Sequence, residues 1–185
     1  METGKHKRKR YVLLDRDGTI MVDKAYQSDP ALTELLPGAL AGLRTLSDAG
    51  YRLVVITNQS GINRGLIKPR ELEAVNQSLV DLLAKEGIAV ERVYYCPHTP
   101  EDGCNCRKPR PGMALRAAEE LGFDTRDAYV IGDREADMRL GKAVGATSVL
   151  VRTGGGRETE ESGNTAPDYI ADDLANAATW MAARA

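Results

Sequence analysis

The chain has 185 residues, 42% of them hydrophobic and 28% charged, with a net charge of −2. That length suits one domain with a core large enough to stand alone, and the charge balance argues against a nucleic-acid partner. No stretch approaches the ~20 apolar residues of a membrane span and the N-terminus lacks the apolar centre of a signal peptide, so a cytoplasmic protein with no membrane partner is expected.

Residues 1–10, with the basic run Lys5 to Arg10, are expected to form a solvated tail ahead of a single domain over 11–185. The apolar run Tyr11 to Leu14 predicts a buried strand, and it runs directly into Asp15-Arg16-Asp17-Gly18-Thr19, where Gly18 lets the chain turn away. Asp15 and Asp17 therefore stand at the carboxyl end of a strand, where open α/β sheets bind ligands. A helix is predicted over 38–49, then a strand over 52–56 ending in Thr57-Asn58-Gln59-Ser60-Gly61. That ending brings a hydroxyl and two amides to the same edge, donors suited to the oxygens of a phosphate. The next helix, 69–86, runs from Pro69 to just before Gly87 and gathers Leu72, Val75, Leu79, Leu82 and Leu83 on one core-facing stripe.

A strand over 92–95 precedes Cys96, His98, Cys104 and Cys106, which hold all three cysteines of the chain. Arg107 and Lys108 come next, just before a helix over 111–121 whose amino end faces the same edge. The strand predicted over 128–131 ends before Gly132-Asp133, the helix 134–144 carries Asp137, and a strand spans 147–151. The stretch Gly154 to Pro167 reads as a mobile low-complexity loop, and a last helix is predicted over 172–183. This alternation predicts an α/β protein: a Rossmann-like open parallel sheet with helices on both faces.

The residue types imply two metal sites. Asp15, Asp17 and Asp133 would repel one another at one sheet edge unless a cation lay among them, and hard oxygen ligands with room for water and phosphate suit Mg²⁺. Cys96, His98, Cys104 and Cys106 fall within eleven residues and can close a tetrahedron around Zn²⁺ with no open position. Such a site is structural, a zinc-binding loop at 96–106 that ties down Arg107 and Lys108.

The four elements in order, Asp15 to Thr19, Thr57 within Thr57 to Gly61, Lys108, and Gly132 to Asp137, resemble the motifs of the haloacid dehalogenase superfamily of phosphatases. The resemblance implies Asp15 as nucleophile, Asp17 as general acid and base, and Thr57 and Lys108 as stabilisers of the transferring phosphoryl group. It assigns Mg²⁺ to the side chains of Asp15 and Asp133 and the main-chain carbonyl of Asp17, with Asp137 orienting a neighbour. The segment from Cys96 to Pro109 is similar to the zinc-binding branch that includes heptose bisphosphate and histidinol-phosphate phosphatases; Ser60 and the ending Val151 to Gly154 favour the heptose side. That branch lacks a large cap domain, in agreement with the short segment 18–37.

The resemblance further implies that Asp23, Lys24, Ala25, Tyr26, Asn58, Gln59 and Ser60 line the sugar side, that Arg107 recognises the remote part of a phosphorylated sugar, and that Arg134 binds the substrate. Arg64 is a candidate partner of Arg107 for a second phosphate. The reaction implied is release of the 7-phosphate of a heptose bisphosphate, on the way to nucleotide-activated heptose, by a monomer. Histidinol-phosphate phosphatase, a polynucleotide 3′-phosphatase and a non-catalytic phosphate-binding module are the alternatives, and the net charge of −2 speaks against the polynucleotide enzyme.

Overall fold

Strand β1 (Arg10–Leu14) is buried on both faces: Val12 and Leu14 turn into one hydrophobic core, Tyr11 and Leu13 into another. This is the mark of a central parallel strand covered by helices on either side. The computed structural model describes residues 10–185 and builds around β1 a six-stranded sheet in the order β3-β2-β1-β4-β5-β6. All its strand pairs are parallel: β2 (Tyr51–Asn58), β3 (Val90–Cys96), β4 (Tyr129–Gly132), β5 (Thr147–Val151) and β6 (Tyr169–Ala171) join β1.

Helices α1 (Ala39–Asp48), α2 (Pro69–Lys85) and α6 (Leu174–Ala182) cover one face, packing Leu43, Leu46, Leu79, Leu83 and Met181 on Val12 and Leu14. Helices α3 (Gly112–Leu121) and α4 (Glu135–Val144) cover the other through Met113, Ala117 and Leu140. The caps are set by local chemistry. Pro69 opens α2, where the Glu71 carboxylate accepts from the Lys68 amide at 2.8 Å, and Gly122 and Gly145 close α3 and α4 at φ 71°. On α2, Leu72, Val75, Leu79 and Leu83 are buried as expected, with Leu82 partly so.

Two expectations change. The sheet has a sixth strand, the three-residue β6, and the stretch expected as a mobile loop contains helix α5 (Gly156–Ser162). Arg152 anchors that helix by a forked pair to Glu160 at 2.7 and 2.8 Å, while also meeting Asp172 at 2.7 Å, and Gly163 at φ 64° ends it. Of the expected basic tail, Arg10 opens β1 and lies over the Tyr51 ring, 4.7 Å from its centroid, whereas residues 1–9 lie outside the described residues. Between β1 and α1 the chain forms only a short 3-10 turn, Pro30–Leu32, and two isolated bridges, so no cap domain is inserted there. No helix among the described residues is long and apolar enough to cross a membrane.

Candidate active site

The strand order reverses between β1 and β4, and a crevice forms where neighbouring connections leave a parallel sheet in opposite directions. Leu14 pairs with Ile131 in register, and the Asp15 amide donates to the Ile131 carbonyl at 2.9 Å. Asp15 and Asp133 thus sit just beyond the ends of adjacent strands at the reversal. Both are buried, Asp133 completely.

Asp133 is held from behind. Its Oδ2 accepts from the Gly155 amide at 2.7 Å and lies 3.3 Å from Arg134 Nε, and its carbonyl accepts from the Thr159 hydroxyl at 2.8 Å. A Cβ on Gly18 or Gly154 would run into the Asp133 carboxylate, so the two glycines form a cradle around it. Its Oδ1 is buried and has no hydrogen-bond partner among the described residues. Burial, then Asp15 and Asp137, push the Asp133 carboxyl up to about 7. An orphaned buried oxygen among like charges is a group that a hard divalent cation completes, so these residues fit Mg²⁺.

Lys108 enters from the loop after β3, with a cis Lys108–Pro109 bond on its carboxyl side, and its ammonium is buried. It lies 2.8 Å from Asp15 Oδ1 and 2.7 Å from Asp137 Oδ1, and donates to the Ile56 carbonyl at 2.9 Å. Burial alone would favour the neutral amine, but Asp137 and Asp15 outweigh it and hold the ammonium well above its ordinary pKa. Asp137 spends its other oxygen on the Arg134 amide at 3.1 Å, capping α4, so both of its oxygens are engaged by the protein. Asn58 grips the Lys108 backbone from both sides, accepting from its amide at 3.0 Å and donating to its carbonyl at 3.1 Å. Burial raises the Asp15 carboxyl's pKa, with Lys108 opposing and Asp137 adding to the rise.

Asp17 faces the cavity with a side chain 19% exposed, and its partners are Arg16 and Gln59. Arg16 Nη2 donates to Oδ2 at 2.9 Å, and Gln59 Nε2 donates to the same oxygen at 2.7 Å. Burial raises the Asp17 pKa and the Arg16 guanidinium opposes it. Gln59 also donates to Thr57 Oγ1 at 2.8 Å, so the threonine hydroxyl keeps its own proton for a ligand oxygen.

The four expected soft ligands converge beside this site. Cys96 Sγ lies 3.6 Å from Cys104 Sγ and 2.9 Å from Cys106 Sγ, and the Cys104–Cys106 edge is 3.5 Å. His98 Nδ1 lies 3.5 Å from Cys96 Sγ and 3.2 Å from Cys106 Sγ. Bonds of about 2.3 Å to a central zinc set tetrahedral sulfurs about 3.7 Å apart, so the quartet fits Zn²⁺ with one compressed edge. Arg107 closes the loop upon itself: its amide donates to Cys104 Sγ at 3.3 Å and its guanidinium to the His98 carbonyl at 3.1 Å.

Above Asp15 opens a cavity of about 410 Å³. Asp23, Ala25, Tyr26, Asn58, Gln59, Ser60, Arg107 and Arg134 line it as expected, together with Ala136, which sequence reasoning missed. Lys24 does not reach it; its ammonium is satisfied by Glu34 at 2.9 Å and the Leu32 carbonyl at 2.9 Å. Arg64 is also outside the lining, its charge felt instead by Glu101 of the loop that carries the cysteines. Arg16 was missed as well, although a lone cation between two aspartates was the signal for it.

Residues 105–177 match the family model for HAD-like hydrolases. The D-glycero-β-D-manno-heptose-1,7-bisphosphate 7-phosphatase of Pseudomonas putida is 41% identical over 171 residues, covering 90% of this chain and 95% of that protein. The chain belongs to the heptose bisphosphate phosphatase family of HAD-like hydrolases. Another member of that family, from Pseudomonas aeruginosa, is 40% identical over 177 residues, covering 92% of this chain and 96% of the relative. Among solved structures, the D,D-heptose 1,7-bisphosphate phosphatase of B. bronchiseptica, complexed with magnesium and phosphate, aligns with a TM-score of 0.89 at 35% identity, over 95% of this chain and 99% of that one. Membership in this family makes the chain a phosphoric monoester hydrolase.

Proposed function

We propose that this chain removes the 7-phosphate of D-glycero-D-manno-heptose 1,7-bisphosphate through a phosphoaspartate on Asp15. The observation that carries the reading is the grouping of Asp15, Asp17 and Lys108 in the lining of one cavity that Arg107 and Arg134 also line, with the buried Asp133 carboxylate within 4.8 Å of that of Asp15. Asp15 attacks phosphorus as the bond to the ester oxygen breaks, and Asp17 gives its proton to that oxygen so that it leaves as a neutral hydroxyl. Asp17, now ionised, takes a proton from water as the water attacks the phosphoaspartate, which returns Asp15 and releases phosphate. Splitting one displacement into two requires both aspartates to be within reach of the same phosphoryl group.

A carboxylate repels a phosphate dianion, so the approach depends on positive charge placed in advance. Lys108 supplies it at 2.8 Å from Asp15, and the Thr57 hydroxyl donates to a non-bridging oxygen. Mg²⁺, held by the side chains of Asp15 and Asp133 and the Asp17 carbonyl, would neutralise further charge on the phosphoryl oxygens when bound. Zn²⁺ in the Cys96, His98, Cys104 and Cys106 quartet takes no part in the chemistry and fixes the loop that delivers Arg107 and Lys108.

Arg107 and Arg134, both at the cavity wall, are the cations available to a phosphate remote from the reacting one. A steady-state comparison of heptose 1,7-bisphosphate with histidinol phosphate tests the substrate assignment. A higher kcat/KM for the bisphosphate is expected, and a higher value for histidinol phosphate overturns the choice.

A further inference from the structure

Arg16 lies between the two aspartates in sequence, yet its side chain is only 1% exposed and it does not line the cavity. A guanidinium that deep must spend its donors on fixed partners. It spends Nε on Asp17 Oδ1 and Oδ2, both at 3.2 Å, Nη2 on Oδ2 at 2.9 Å, and Nη1 on Asn76 Oδ1 at 2.6 Å. Asn76 is the one polar residue among the buried residues of α2, whose other buried positions are Leu72, Val75, Leu79 and Leu83. Nothing in helix packing asks for an amide there. Its acceptor oxygen fixes the rotation of the Arg16 fork.

The fork treats the two oxygens of Asp17 unequally. Oδ2 takes Arg16 Nη2 at 2.9 Å and Gln59 Nε2 at 2.7 Å, as many strong hydrogen bonds as its lone pairs accept, besides the longer contact to Nε. Among the described residues, Oδ1 has only the 3.2 Å contact to Arg16 Nε. We propose that Arg16, steadied by Asn76, is a positioning residue that sorts the oxygens of Asp17, anchoring Oδ2 and leaving Oδ1 as the atom that passes the proton to the leaving oxygen. This rests on the reading of Asp17 as general acid. Neither Arg16 nor Asn76 touches the substrate; each acts through the carboxylate it orients.

A misaligned general acid harms the departure of a basic alkoxide far more than that of a phenolate, which leaves without protonation. The test is therefore the ratio of kcat/KM for heptose 1,7-bisphosphate over that for para-nitrophenyl phosphate, measured for the wild type, Asp17→Asn, Asn76→Leu, Asn76→Asp and Arg16→Lys. Asn76→Leu is expected to lower the ratio on the order of tenfold, a fraction of the about 10²–10⁴-fold that a general acid contributes, and Asn76→Asp, which keeps an acceptor oxygen, to recover most of it. Arg16→Lys keeps the charge and loses the fork, so it carries the same test should Asn76→Leu fail to fold. If Asp17→Asn lowers both activities equally, the reading of Asp17 as general acid fails. If Asp17→Asn is selective while Asn76→Leu and Arg16→Lys leave the ratio unchanged, or lower both activities equally, that reading stands and the positioning role is overturned.

Discussion

The backbone amide of Gln59 donates to the carbonyl of Cys96 at 2.7 Å, joining the residue that holds Asp17 to the first cysteine of the soft-ligand quartet. The same two loops meet again where Asn63 Nδ2 donates to Asp102 Oδ2 at 3.0 Å and the Asn63 amide to the Pro97 carbonyl at 3.3 Å. The quartet therefore braces both sides of the cavity: Arg107 and Lys108 through direct chain continuity, Gln59 and Thr57 through these hydrogen bonds.

Stripping zinc should cost both stability and turnover. Metal analysis of protein purified without chelator is expected to give about one zinc per chain, and Cys104→Ser to lower Tm and to reduce kcat by more than about tenfold. Unchanged kcat in zinc-free protein would separate the loop from the site.

Lys108→Met leaves Asp15 and Asp137 buried together without their shared cation. Breaking a buried ion pair from one side costs about 3–5 kcal/mol, so urea unfolding should show a loss on that scale, alongside a fall in kcat/KM of more than about a hundredfold. Activity close to the wild type would remove Lys108 from the reaction.

Ala25 stands at φ 43° and Tyr26 at φ 52°, in the left-handed region where a Cβ is unwelcome. Ala25→Gly is expected to raise stability by up to about 1 kcal/mol, the relief of strain exceeding the added freedom of the unfolded chain. Thermal unfolding reads this directly, and a lower Tm would contradict it.

Gly154→Ala drives a methyl group at the Asp133 carboxylate from a position at φ 53°. The apparent Mg²⁺ affinity, measured by titrating activity and by Mg²⁺-dependent thermal shift, should fall by more than about tenfold, since displaced outer supports commonly cost that much. An unaltered thermal shift would mean that the glycine cradle does not set the cation site.

The central strands were legible because apolar runs such as Tyr11 to Leu14 are buried on both faces and end in polar residues at one edge. The helices were legible from Pro69 at a start and Gly122 and Gly145 just past ends. Strand β6 was not, since three residues are too short a run to read as a strand, and they are held by pairing with Val149 to Val151 and by the stacking of Tyr169 on Trp180. Helix α5 was hidden because Gly156–Ser162 carries no apolar stripe and is fixed by Arg152, which lies outside it. At the site, spacing identified the groups at strand ends but not where long side chains turn. Lys24 swings to Glu34, ten residues on, and Arg16 folds under Asp17 toward Asn76, sixty residues away, a contact that exists only once α2 has packed on the sheet.

³¹P NMR of heptose 1,7-bisphosphate in the presence of Mg²⁺, with the wild type and with Asp15→Asn, shows which phosphate is released and whether Asp15 is needed. The wild type should lose the C7 phosphate resonance and retain the C1 resonance, while the folded Asp15→Asn variant leaves both in place. Loss of the C1 resonance, or turnover by Asp15→Asn, would contradict removal of the 7-phosphate through Asp15.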